Sequence, residues 1–202
     1  MTEPPARRPL VTLAAVVLLL AHALLILRDA RAMGPVTDEF NYFHGGHVLV
    51  ERGCVHPATL YQGPLAQMAN QLLVTSFGGV YPSGGLDTVA PDRAALFRGR
   101  LATLPFALLS AVLVFLWARK LFGDAGGLLA LLVHALNPLM LGYGSLMLVD
   151  AQLTALTLLA LYLAWRYFET RALRFVPWIG VALGLALGTK YLAVLLAVPL
   201  GV

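Results

Sequence analysis

Five long apolar runs crowd a chain of 202 residues, and the charges lie mostly between them. A helix needs about 20 apolar residues to cross a bilayer. Only 12% of the residues are charged, against about 25% in soluble domains. A water-soluble fold would leave too much apolar surface uncovered. The pattern predicts an all-α, polytopic transmembrane bundle, because a helix satisfies every backbone polar group within its own segment.

The first run covers 10–27, behind Arg7 and Arg8. Ala30-Arg31-Ala32 has the small-x-small form of a signal cleavage site, but Arg28, Asp29 and the length of the run favour an uncleaved helix. The second run is 101–118. The third, 127–141, contains Asn137-Pro138, and the proline kinks or ends it. The fourth, 151–167, ends in an interfacial aromatic cluster of Trp165, Tyr167 and Phe168. The fifth would reach about 42 Å if helical throughout, more than a bilayer core needs. Gly188-Thr189-Lys190 divides it into a helix over 175–187 and the start of a sixth at 191–202. Five to six spans follow. Val202 ends inside an apolar run, which predicts an amino-terminal piece of a longer protein.

With the amino terminus inside, the inner segments hold Arg7, Arg8, Arg119, Lys120, Arg166, Arg171 and Arg174. The short outer turn after Leu141 holds no lysine or arginine, which is the positive-inside pattern. This implies a cell (inner or plasma) membrane protein with a cytoplasmic amino terminus. The segment 28–100 then lies outside. At about 70 residues it is too long for a linker. Residues 38–51 read as a helix, and Leu65, Met68 and Leu72 suggest a second, amphipathic one. Both suit a membrane surface. Gly53 and Pro57 punctuate a turn between them, and Tyr81-Pro82-Ser83-Gly84-Gly85 reads as a flexible lid.

Several polar residues invite a chemical reading. Asp38 and Glu39 could supply a carboxylate base at the outer face, or simply cap a helix, with Asp38 as N-cap. Asp150 opens the fourth run, so it is either an N-cap or a functional carboxylate facing the bundle interior. Lys190 could bind a phosphate as a point charge or snorkel to the interface. Arg98 and Arg100 begin the second helix, as interfacial anchors or as guanidinium forks for a phosphate. His44 and His47 share a helix face and, with Asp38 or Glu39, are weak candidates for a divalent metal ion. His56 lies in the same loop, whereas His22 and His134 sit in apolar runs and suit hydrogen bonds within the bundle. The single cysteine, Cys54, has no intramolecular disulfide partner. No Walker A or GxGxxG motif indicates a soluble nucleotide, and no basic-aromatic array indicates nucleic acid.

In order along the chain, these features resemble the GT-C superfamily of membrane glycosyltransferases, and within it the protein O-mannosyltransferase and aminoarabinose-transferase group (glycosyltransferase family 39 and relatives). Thr37-Asp38-Glu39-Phe40-Asn41-Tyr42 is similar to that group's acidic motif in the first outer loop. Phe97-Arg98-Gly99-Arg100-Leu101 resembles its arginine-bearing start of the second helix. Met147-Leu148-Val149-Asp150-Ala151-Gln152-Leu153 looks like its fourth-helix aspartate motif. Gly184-Leu185-Ala186-Leu187-Gly188-Thr189-Lys190-Tyr191 resembles its glycine-rich run ending in lysine. The group often carries a His-Pro-Pro-Leu-like stretch. Here His56-Pro57 is followed by Ala58-Thr59, and Pro64-Leu65 comes later.

The resemblance implies a GT-C-like module and a sugar donor on polyprenyl phosphate. It implies an inverting transfer at the outer face to a hydroxyl on a protein, glycan or lipid acceptor. Asp38 would be the general base. Arg100 and Lys190 would offset charge on the departing phosphate, and Asp150 would orient a substrate or help hold a metal. The competing readings are a non-enzymatic transporter, flippase or assembly scaffold, or an inactive fragment; a transporter would gather its charges near the bilayer midplane.

Overall fold

The computed structural model describes residues 8–54, 59–60, 62–76 and 92–196. Among these there is no strand, only an isolated antiparallel bridge between Gln62 and Lys190. Eight α-helices follow in order: α1 (Arg8–Ala32), α2 (Thr37–Arg52), α3 (Pro64–Ser76), α4 (Arg93–Leu101), α5 (Leu104–Leu136), α6 (Pro138–Ser145), α7 (Asp150–Thr170) and α8 (Val176–Thr189). A 3-10 turn, Leu173–Phe175, joins α7 to α8, and another, Tyr191–Leu196, follows α8. The expected lid at 81–85 and the residues His56 and Pro57 lie outside the described residues, as does 197–202.

By length and composition, two described helical stretches can cross a membrane, Pro9–Ala32 and Arg93–Leu136. A third is added if the bent pair Pro138–Ser145 and Asp150–Thr170 counts as one. The second of these stretches is not a straight rod. Gly123 takes φ 76° and ψ −174°, a backbone that glycine adopts readily and other residues do not. Ser110 then lies 3.1 Å from His134, although a straight helix would separate them by about 36 Å. So α5 is a helical hairpin. Its legs were expected as runs over 101–118 and 127–141 with a longer gap, but one glycine makes the turn.

Pro138 breaks the second leg. It has no N–H to give, and Asn137 caps the restart by accepting from the Leu139 N–H at 2.9 Å. The freed carbonyl of Ala135 accepts instead from His22 Nδ1 of α1, at 2.9 Å. This is how a proline break is tolerated inside a bundle. Past the break, α6 runs along α1 until Ser145 meets Met33. The helix therefore ends at Leu136, with Asn137 extended, and a new one starts at Pro138.

Small residues set the helix spacing. Ala15, Ala111, Phe115 and Leu131 form one buried cluster between α1 and the α5 hairpin. Ala155, Ala160 and Ala186 are fully buried, and α7 and α8 pack closely. Such residues let membrane helices approach. The outward faces are apolar, with Leu13, Leu20, Leu24, Val133 and Trp178 all exposed. Ala30, within the possible cleavage motif, is buried in this packing.

The two ends of the bundle differ. At one end, Arg119 pairs with Asp124 around the hairpin turn, and Lys120 reaches Glu169 of α7 at 3.1 Å. Trp117, Tyr162 and Trp165 stack beside them with ring centres under 6 Å apart. The opposite end carries α2, α3 and α4, which dock on the segment 146–149. Tyr42, Phe43, Ala66, Val74, Ala95 and Met147 make that core. The apolar edge of α3 faces outward, with Met68 48% and Leu72 62% exposed.

Candidate functional site

The docked end gathers four of the charged residues that the sequence singled out, Glu39, Arg100, Asp150 and Lys190, in two ion pairs. The first is closed. Glu39 is 0% and Arg100 2% exposed. Arg100 Nε donates to Glu39 Oε1 at 2.8 Å, and Nη2 donates to Oε2 at 2.6 Å, the bidentate fork of a strong charge-assisted pair. The remaining Arg100 N–H groups donate to the carbonyls of Ala30, Met33 and Gly34. All five donors are committed. Glu39 also accepts from the backbone N–H of Met147 through Oε1 at 2.8 Å, and from that of Val36 through Oε2 at 3.1 Å.

Two residues expected to do chemistry, Glu39 and Arg100, are fully committed to protein partners here. Glu39 has no lone pair left to take a proton from a substrate, and Arg100 has no N–H left for a phosphate. Their pair is a clasp joining the end of α1, the start of α2, α4 and the turn before α7. The capping expectation shifts too. Val36, not Asp38, occupies the N-cap position of α2, and Glu39 reaches back to its N–H from the third helical position. Asp38 sits between them, exposed, in the first turn.

The second pair is open. Lys190 Nζ lies 3.2 Å from Asp150 Oδ1, with the side chains 26% and 35% exposed. Asp150 starts α7, where the helix dipole favours a carboxylate. It does not act as the N-cap, which Val149 occupies. Lys190 ends α8, released from the helix at φ −152° and ψ 127°. The loop brings Gln62 and Gly63 against this end, and the Gly63 N–H donates to Thr189 O at 3.0 Å. A Cβ on Gly63 would collide with the Gly188 carbonyl, so only glycine permits the contact.

The two pairs are neighbours in the chain. Met147, held by Glu39, precedes Asp150 by three residues, a reach of at most about 10 Å. Arg98 is half-buried on α4, a helix that begins with Asp92 as N-cap, its side chain accepting from Ala95. Only Ala102 and Thr103 separate it from α5, so Arg98 and Arg100 lie near the start of the stretch Arg93–Leu136.

His47 lies 3.2 Å from Glu51 on α2, and His44 packs its ring against Phe43. Burial pushes the His47 pKa down, an effect opposed by Glu51 and assisted by Arg52. Among the described residues no three His, Cys, Asp or Glu side chains gather as a metal site.

Sequence reasoning missed a layer of amides beneath α3. Gln62, Gln67, Asn70 and Gln152 are each at most 3% exposed. Gln152 Nε2 donates to Asn70 Oδ1 at 3.0 Å. The signal was available: Gln67, Asn70 and Gln71 recur at helical spacing, opposite the apolar stripe.

An apolar helical bundle with two ion pairs collected under the helices at one end has the character of a multi-helix membrane protein. The chain belongs to the dolichyl-phosphate-mannose-protein mannosyltransferase family, of GT-C type, whose model matches residues 94–202. The match takes in Arg98, Arg100, Asp150 and Lys190, and begins after Asp38 and Glu39. The family points to glycosyltransferase activity in a membrane. No curated protein and no solved structure matches the chain.

Proposed function

We propose that this protein transfers a sugar from a polyprenyl-phosphate donor to a hydroxyl acceptor, at the outer face of the membrane, with inversion. The observation that carries this reading is the open pair of Asp150 and Lys190, residues 40 apart that meet at the loop-covered end. Orientation follows from charge. Arg119, Lys120, Arg166, Arg171 and Arg174 belong to the opposite end, and the positive-inside rule makes that end cytoplasmic. In this reading α1, the two halves of the α5 hairpin, α7 and α8 are the five crossings.

In this reading the exposed carboxylate of Asp38 takes the proton of the acceptor hydroxyl. The acceptor oxygen attacks the anomeric carbon from the face opposite the phosphate. The bond from that carbon to the phosphate oxygen breaks, and the electron pair leaves with the lipid phosphate. The Lys190 ammonium offsets the charge that develops there, a stabilisation that counts most where water is scarce. Asp150 holds Lys190 in position and gives it up to the phosphate. Arg100 and Glu39 hold the frame without touching substrate.

A transporter or flippase would need a cavity near the midplane. The break at Pro138 does leave a cavity lined by His22, Ser110, His134, Tyr143 and Thr154. Its volume is about 20 Å³, room for one water and for no cargo.

The test is transfer from a polyprenyl-phosphate sugar by the full-length protein and by Asp38→Asn. The variant keeps the shape and loses the proton acceptor, so turnover collapses while the protein stays folded. Turnover equal to wild type would remove Asp38 from the base role.

A further inference from the structure

The amide layer under α3 has bonding capacity that the protein does not use. Five buried side-chain atoms there make no hydrogen bond among the described residues: Gln62 Oε1, Gln67 Oε1, Gln67 Nε2, Asn70 Nδ2 and Gln152 Oε1. Buried polar groups are nearly always paired, so such a concentration calls for an occupant. The set mixes donors and acceptors. A bound anion would need donors, and a cation would need acceptors. Only a partner that both donates and accepts at several points fits, and hydroxyl groups do so. Flipping any amide exchanges a donor for an acceptor and leaves the set mixed.

The position of the layer narrows the choice. Gln152 follows Asp150 by two residues in the first turn of α7. Gln62 bridges to Lys190 through its backbone. The unused amides therefore border the pair assigned above to the lipid phosphate, and in a sugar phosphate the ring is one bond from that phosphate. Gly45 lets α2 pack directly on the other side, since a Cβ there would stand 2.7 Å from Gln67 Oε1.

We propose that Gln62, Gln67, Asn70 and Gln152 form the seat of the donor's sugar ring and read its hydroxyls. This rests on the assignment of Lys190 to the lipid phosphate. The layer is enclosed, so a ring enters as α3 shifts outward. Its outer edge carries the exposed side chains of Met68 and Leu72.

The test compares binding of bare polyprenyl phosphate with that of polyprenyl phosphates bearing a hexose or a pentose, using detergent-solubilised full-length protein. Wild type should prefer a sugar-bearing lipid. Gln67→Met and Gln152→Leu should each reduce that preference roughly tenfold while leaving the affinity for bare lipid unchanged. Gln67→Met also removes two unpaired buried atoms in a similar volume, so that variant should fold at least as well as wild type. An unchanged preference in both variants, or no preference in wild type across the panel, would overturn the proposal and leave the layer to internal water alone. Affinity for bare lipid, and its loss in Lys190→Ala, tests the phosphate assignment separately. The two ideas thus fail by different numbers.

Discussion

Arg100 and Glu39, 61 residues apart, form a sealed pair in which every N–H of the guanidinium and both carboxylate oxygens are bound by protein. The pair stands beside the open one between Asp150 and Lys190 and differs from it in kind. A sealed pair fixes geometry, whereas an open pair can exchange a partner for a substrate. That contrast decides which charged residues should affect folding and which should affect turnover.

Removing one partner of the sealed pair strands the other in a dry site. Arg100→Met should therefore destabilise the protein by about 3–5 kcal/mol, and Glu39→Gln by a comparable amount. Arg100→Lys should not rescue, because an ammonium cannot span two carboxylate oxygens and three carbonyls. Thermal unfolding in detergent measures this. A melting temperature unchanged in Arg100→Met would mean that the clasp does not hold the loop helices.

The open pair should behave oppositely. Exposed ion pairs contribute about 0–1 kcal/mol, so Lys190→Ala should scarcely move the melting temperature. Loss of one charge that stabilises a leaving group typically costs 100-fold or more, so transfer should fall by about that factor. Asp150→Asn should act on turnover in the same direction. A Lys190→Ala variant that melts early and retains turnover would invert the assignment.

Gly63 controls how the loop meets Lys190. Gly63→Ala puts a methyl group into the Gly188 carbonyl, so the loop must lift from the end of α8 and the Gln62 bridge must open. Transfer should drop several-fold. Cross-linking between cysteines placed at Leu60 and Tyr191 should slow relative to the same pair in a Gly63 background. Equal cross-linking rates would show that the contact is not held by Gly63.

The helices were legible because hydropathy alone distinguishes a span from a loop. Pro138 also announced its break. The partner that heals that break, His22, is more than 100 residues away and cannot be inferred from local pattern. Lys190 and Asp150 stood out as costly charges, but no acidic neighbour in sequence pointed Lys190 to its partner. Glu39 and Arg100 were read as reactive for the same reason that they are buried: both are expensive to bury, and sequence does not reveal whether a charge is satisfied. The helix α4 went unread because it is short and its cue is a single capping residue, Asp92. The amide face of α3 is masked in the sequence by its apolar stripe, which in a membrane protein faces outward.

His47 should make the docked helices sensitive to acid. Its pKa is lowered, chiefly by burial, so the folded state binds its proton less readily than the unfolded chain does. Stability from this site is therefore complete above the ordinary histidine pKa of about 6.5 and declines as pH falls below it. His47→Gln should flatten the pH dependence of the melting temperature below that value. The same slope in wild type and variant would exclude His47 as its source.

The contact between His22 and Ala135 should be worth more than an ordinary hydrogen bond, because its loss leaves a carbonyl bare inside a bundle. His22→Leu should cost about 1–3 kcal/mol. The cause can be isolated by restoring the backbone donor. In Pro138→Ala the new N–H can rejoin the helix, the break should relax, and the Ala135 carbonyl can return to its place in the ladder. His22→Leu should then cost much less in the Pro138→Ala background than in the wild type, and the difference measured by unfolding is the coupling between the two residues. Equal costs in both backgrounds would mean that His22 contributes by packing alone and that another group tolerates the proline.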